Sequence, residues 1–199
     1  VAADAYTAVG HTTDMARMNG NLAPLNQVSD NIMLDCKYAT TNNFTGQKLY
    51  KNSNLYLHKD VLPDFIAAAK EFKSLGYGIK IWDAYRPLAV TQKMWDITPD
   101  DKKSFVANPS IGSVHNKGCA VDITLYDSAS GKELDMPTSF DDFTEKAYPN
   151  CQDLPEEAIK NRDLLITVMT KHNFEVHPNE WWHFNWRKHQ NFPLLNFPL

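Results

Sequence analysis

Cysteine is scarce in this chain: Cys36, Cys119 and Cys151 are three, with no Cys-x-x-Cys spacing. That count excludes a disulfide framework and allows one bridge at most, the pairing of Cys36 with Cys151 being left open. Long apolar runs are also missing. No stretch approaches the roughly 18 consecutive apolar residues of a membrane span. Basic residues neither dominate nor cluster, since Lys and Arg number 20 against 24 Asp and Glu, for a net charge of -4. A nucleic-acid binder needs grouped positive charge to neutralise phosphates, and that class is set aside. There is no sign of disorder at large. The 199 residues, 43% hydrophobic and 22% charged, are ordinary for a globular chain and long enough to bury one substantial core. No oligomeric state follows from these numbers.

The chain does contain two short polar stretches set far apart. One runs Ser113-Val114-His115-Asn116-Lys117-Gly118-Cys119-Ala120-Val121-Asp122; the other is Glu180-Trp181-Trp182-His183. His115, Asp122 and His183 offer two imidazoles and a carboxylate, a ligand set suited to one Zn2+ per chain with the fourth tetrahedral position left for water. Glu180 is then the candidate general base. Any single one of the seven His is more often a hydrogen-bonded structural residue than a ligand. The combination shifts the balance. Asp122 opens the run Asp-Ile-Thr-Leu-Tyr, which alternates as a half-buried strand, and a carboxylate placed there is costly unless paired or bound to a metal.

Hairpin and helix signals outnumber βαβ alternation, which predicts an α+β fold: one domain, an antiparallel sheet bearing the metal ligands, and helices packed on one side. Residues 1–30 read as an irregular N-terminal segment, with a short helical turn at residues 13–17, and residues 31–199 as the catalytic domain. Ile32 to Tyr38 is strand-like. Val61 to Leu75 is the clearest helix, with Pro63 at its start and Gly76 placed for its C-cap. Ile79 to Trp82 is a strand leading into a corner at Arg86-Pro87, where Pro87 starts a helix through Trp95. The Asp122 strand is expected to turn at Asp127–Gly131 and return as a hairpin through Lys132–Leu134. Asp153 is read as the N-cap of a helix running to Lys171. Phe174–His177 and Glu180–Trp186 read as strands. Glu180 and His183 are an odd number of positions apart, which puts them on opposite faces of a regular strand, so a bend must lie between them if they share a site. Residues 191–199, with two Phe-Pro pairs, are expected to pack over the core as an extended tail.

The spacing Ser-x-His-x-x-Gly-x-Ala-x-Asp, followed at distance by Glu-x-Trp-His, resembles the zinc D,D-peptidases. The stretches Lys37–Thr40 with Asn43–Gly46, Ile81–Pro87, Leu134–Met136 with Phe140-Asp141, and Glu180–Phe184 are similar to the VanX-type D-alanyl-D-alanine dipeptidases. The resemblance implies Zn2+ at His115, Asp122 and His183, Glu180 as base and Arg86 as stabiliser of the oxyanion. It also implies substrate contacts from Tyr38 and Asp141 at the amino end and from Ser113 near the carboxylate. By residue type alone, Tyr38 serves equally as a core tyrosine, Arg86 as a partner of Asp83 or Asp96, and Ser113 as a turn cap. The implied partner is a small dipeptide, with no nucleic acid and no membrane span. Two alternatives stand beside this reading: a D,D-carboxypeptidase or peptidase for another dipeptide, with an open amino-end pocket, and a non-catalytic zinc-binding interaction domain. The small residues of Val1-Ala2-Ala3-Asp4 are common near signal-peptide cleavage sites. The expectation drawn is a periplasmic or secreted enzyme, with a cytoplasmic one as the alternative.

Overall fold

A computed structural model describes residues 21–199. The helical turn expected at residues 13–17 lies outside the described residues. Seven strands are described: β1 (Leu22–Pro24), β2 (Ile32–Leu34), β3 (Tyr56–His58), β4 (Tyr77–Asp83), β5 (Ala120–Asp127), β6 (Phe174–His177) and β7 (Glu180–Trp186). Three α-helices accompany them: α1 (Leu62–Ser74), α2 (Leu88–Ile97) and α3 (Glu156–Lys171). The main sheet has the order β2-β4-β5-β7-β6, and β1 pairs with β3 in a separate two-stranded ribbon. The fold is α+β, as the hairpin-rich pattern predicts.

Helix α1 forms where its apolar spacing places it. Phe65, Ala68, Ala69 and Phe72 are its buried stripe, Pro63 sits in its first turn, and Gly76 follows the C-cap at φ +90°, a left-handed conformation that glycine adopts without steric cost. α1 packs on β4, and α3 packs on α1, β6 and β7. Strand β5 is the structural middle. It pairs antiparallel with β4 along its length and with β7 at residues 120–122, while Asp127 donates its N–H to Lys132 O and Leu134 donates to Leu125 O, closing the expected hairpin.

Four expectations need correction. The sheet is mixed, because β2 joins β4 in parallel; the intervening chain carries α1, the kind of long crossover that parallel neighbours require. β5 is buried at every position from Ala120 to Tyr126 rather than alternating, as befits a strand covered on both faces. The irregular reading of residues 1–30 does not extend to their described part, since Leu22–Pro24 form β1 and Leu22 is buried; three residues are too short for periodicity to register. Asp153 makes no cap: Pro155 takes the N-cap position of α3, without a side-chain cap bond, and Glu156 and Glu157 supply the negative charge that suits the first turn. All three cysteines are free.

The tail after β7 runs back over the loops that carry the polar stretches. Leu195 donates its N–H to Asn116 O, Leu88 to Leu195 O, Lys51 to Leu199 O, and the Tyr85 hydroxyl donates to Phe197 O. Leu199 is buried. Among the described residues, no helix is long and apolar enough to cross a membrane.

Candidate active site

Strand register builds the centre. Asp122 lies opposite His183 across β5 and β7, and opposite Asp83 across β4 and β5, so one row of the sheet carries Asp83, Asp122 and His183. His115 reaches the row from a short 3-10 turn, Val114–Lys117, that is closed by a reciprocal cap: His115 N–H donates to Ser113 Oγ at 3.2 Å and Ser113 N–H donates to Asn116 Oδ1 at 2.7 Å. Gly118 ends the turn at φ +71°, and a side chain there would collide with Leu22 and the His58 backbone.

Three atoms converge. His115 Nε2 is 3.1 Å from Asp122 Oδ1 and 3.2 Å from His183 Nδ1, and His183 Nδ1 is 3.1 Å from Asp122 Oδ1. Tetrahedral ligands about 2.0 to 2.1 Å from a metal stand about 3.3 Å apart, so this triangle fits one cation. Each imidazole is already committed on its other nitrogen. His115 Nδ1–H donates to Ala84 O at 2.6 Å and His183 Nε2–H donates to Asn185 Oδ1 at 2.6 Å, which leaves the converging nitrogens as lone pairs. Burial works to raise the Asp122 pKa, yet the two neighbouring imidazoles hold it well below the usual carboxylate range. Burial likewise lowers the basicity of His183, and the Asp122 carboxylate reverses this. A site that draws positive charge so strongly suits a metal ion.

The remaining residues surround the same cleft, a cavity of about 330 Å³. Glu180 Oε1 is 3.6 Å from His183 Nδ1. Withdrawal from water lifts its carboxyl to about 7, against the pull of the His183 charge, which places proton exchange near neutrality. The bend required between Glu180 and His183 is present: β6 pairs Val176 with Phe184 and then His177 with Glu180, so Trp181, Trp182 and His183 have no counterpart on β6. Arg86 is buried, not a surface arginine. Its Nε and Nη2 donate to Asp83 Oδ2 at 3.1 and 2.9 Å, and Nη2 is 4.0 Å from Asp122 Oδ2. Tyr38 is also buried and donates its hydroxyl to Asp141 Oδ2 at 2.5 Å. Desolvation pushes both groups up, the Asp141 carboxyl well above the carboxylate range and the Tyr38 phenol well above its own, so Tyr38 stays a donor. Ser113 lines the cleft as well as capping the turn.

All eight residues singled out in the sequence, Tyr38, Arg86, Ser113, His115, Asp122, Asp141, Glu180 and His183, therefore line one cavity. Others emerge only in three dimensions. Asp83 is fully buried and accepts from Tyr50 Oη at 2.7 Å as well as from Arg86. Asn185 had a legible signal, since it lies two positions beyond His183 and so shares its face in regular strand. His177, left outside the ligand set, stands with its ring 5.2 Å from that of His183 and lines the cleft, and burial lowers its basicity to about 4.

Comparison with known proteins gives a consistent picture. The sequence profile of the D-ala-D-ala dipeptidase family, Peptidase_M15, matches residues 18–196. The chain is 33% identical over 174 residues to the D-alanyl-D-alanine dipeptidase of Escherichia coli, covering 87% of this chain and 89% of that protein. It is 28% identical to the D-alanyl-D-alanine dipeptidase of Enterococcus faecalis, over 80% of this chain and 88% of the relative. The like-named protein of Streptomyces coelicolor is 28% identical over 92% of this chain and 100% of its own length.

Proposed function

Because the chain belongs to the D-ala-D-ala dipeptidase family and is a metallopeptidase, we propose that it hydrolyses D-Ala-D-Ala to two D-Ala with one zinc ion held by His115, Asp122 and His183. The convergence of three lone-pair donors 3.1 to 3.2 Å apart, with Glu180 beside them, is the observation that carries this reading. Bound zinc supplies Lewis-acid chemistry at this place, polarising a carbonyl oxygen and lowering the pKa of water from about 15.7 towards about 7.

The protein's own groups do the rest. Glu180 accepts the proton of the attacking water and returns it to the departing amine, a task suited to a carboxyl poised near 7. Arg86 offers a fixed guanidinium to the oxyanion that forms on the carbonyl oxygen. Asp83 holds that guanidinium in place through two N–H donors. Asp141, aligned by the Tyr38 hydroxyl, receives the substrate ammonium, and Ser113 lies towards the carboxylate end. A desolvated carboxyl gains a charge-assisted partner when an ammonium arrives, worth about 1.5 to 3 kcal/mol. A carboxypeptidase needs an open path at this end; the Tyr38–Asp141 pair, set to take a free ammonium, supports the dipeptidase instead. Work in the periplasm or outside the cell belongs to the same proposal, and fractionation of producing cells tests it.

The central test is release of free alanine from D-Ala-D-Ala, L-Ala-L-Ala and N-acetyl-D-Ala-D-Ala, with and without a chelator. Cleavage of D-Ala-D-Ala alone, abolished by the chelator, is the expected outcome, with the acetylated substrate at least about a hundredfold slower. Asp141→Asn lowers kcat/KM for the free dipeptide and leaves the acetylated one no better. Equal cleavage of free and acetylated substrates by the parent protein points to a carboxypeptidase, and no cleavage of any of them to a zinc-binding interaction domain.

A further inference from the structure

Three loops that are remote in sequence each send one phenylalanine to the same side of the cleft. Phe44 follows the 3-10 turn Lys37–Ala39, Phe105 ends the 3-10 segment Asp100–Phe105, and Phe143 lies two residues beyond Asp141. All three line the cavity. Their rings form a continuous strap. Phe44 meets Phe143 edge-on at 5.2 Å and 65°, and Phe143 stacks on Phe105 at 5.1 Å and 10°. At one end the Tyr38 ring meets Phe44 edge-on at 6.4 Å; at the other, Lys102 Nζ lies 5.8 Å over Phe105. None of the three rings is fully buried. Phe44 also packs against the hydrophobic core, whereas Phe105 and Phe143 lie outside it.

We propose that this strap is the wall that limits the substrate at its amino end: Phe44 and Phe143 close the space beyond the ammonium held by Asp141 and Tyr38, and Phe105 braces them. The inference rests on the dipeptidase reading and deepens it. Charge and shape make different demands there. Asp141 rewards a free ammonium, whereas the strap excludes whatever is attached to that nitrogen, and two devices of this kind discriminate independently. The position of Asp141 supports the division of labour. Asp141 has φ +57°, a left-handed turn that aims its carboxyl at Tyr38 while the chain two residues later delivers Phe143 to the stack. Phe105 comes from a different segment, and among the described residues the hydrogen bond from Tyr38 to Asp141 does not involve it. Removing the Phe105 ring therefore opens the wall without disturbing the charge grip.

The experiment compares kcat/KM for D-Ala-D-Ala, N-acetyl-D-Ala-D-Ala and D-Ala-D-Ala-D-Ala in the parent and in Phe105→Ala, Phe105→Tyr and Phe143→Leu, with melting temperatures for each. Phe105→Ala is expected to raise the extended-to-free ratio by about tenfold, through a lower KM for the extended substrates, with the free dipeptide within about threefold of parent, and Phe143→Leu to raise the same ratio by a similar factor. Phe105→Tyr keeps the stack and the parent ratio. An unchanged ratio in both opened variants, or an equal loss on every substrate, overturns the wall while leaving the dipeptidase reading standing. A parent that cleaves no free dipeptide overturns both.

Discussion

The row Asp83–Asp122–His183 and the loop from Pro137 to Thr144 meet at one cleft and are built in opposite ways. The row lies on three adjacent strands, Asp83 coming just after a register shift in β4, every member is buried, and each side chain has partners that fix its orientation. The loop is irregular, carries a positive φ at Asp141, and is held by side chains rather than by a strand ladder: Tyr38 to Asp141, Trp181 to Thr138, Thr144 to Asp142, Phe140 against Trp82 and Trp182, and Phe143 against Phe44 and Phe105. Of the three converging groups, Asp122 and His183 sit on the sheet and His115 on a capped turn tied to Ala84 O; the groups proposed to choose among substrates sit on a loop, where sequence can change without disturbing the ladder.

The largest effect comes from breaking the triangle that the row and His115 form. His115→Ala, Asp122→Ala and His183→Ala are each expected to lose metal, measured by elemental analysis, together with activity. Full metal content in any two of them removes the ligand set. Because the core is large enough to stand without a structural metal, far-UV circular dichroism is expected to stay close to parent. A smaller effect separates chemistry from metal binding. Glu180→Gln keeps the shape but cannot take a proton, so kcat falls by about a hundredfold or more while the metal stays; activity within a few-fold of parent shows that Glu180 is not the base.

The smallest effect sharpens the contrast, because it acts on the row from behind. Tyr50→Phe strips one donor from a fully buried Asp83 carboxyl, a loss of about 1 to 3 kcal/mol. At about 2 to 4 °C per kcal/mol for a chain of this size, the melting temperature should drop by several degrees. The metal content should not change. A melting temperature equal to parent shows that Asp83 does not depend on Tyr50.

The features legible in advance came from local order. The stripe of α1, the strand at Glu180, the bend it requires and the hairpin after Asp127 are each written within a dozen residues or so. The convergence of the eight site residues came from motif spacing and a resemblance, since no local rule brings Tyr38 to Asp141. Three-dimensional pairings were out of reach. β1 is three residues long and stands only by pairing with β3, and β2 gains its parallel place on β4 through a crossover. Tyr50 and Asp83 are 33 positions apart, and neither lies in a motif that announces the other. At the cap of α3, Asp153-x-x-Glu156 has the letters of a capping box, but Pro155 sets the extended entry into the helix and takes the cap position.

The hydrogen bonds between the tail and the loops have a bearing on how the molecule comes into being. Residues 195 and 197 close on the segments around Leu88, Asn116 and Tyr85, the same segments that present Arg86 and His115. On a ribosome these partners are separated by about 80 to 110 residues, and at about 5 to 20 residues per second the wait lasts several seconds or more. Helix α1 and its contacts with β4 are local and can form during that interval; the reactive centre, dependent on β7 and on the tail beyond it, cannot. Catalytic competence is thus a late event in the biogenesis of this chain, and a nascent form stalled before β7 carries Arg86 and His115 without the strand that completes their site.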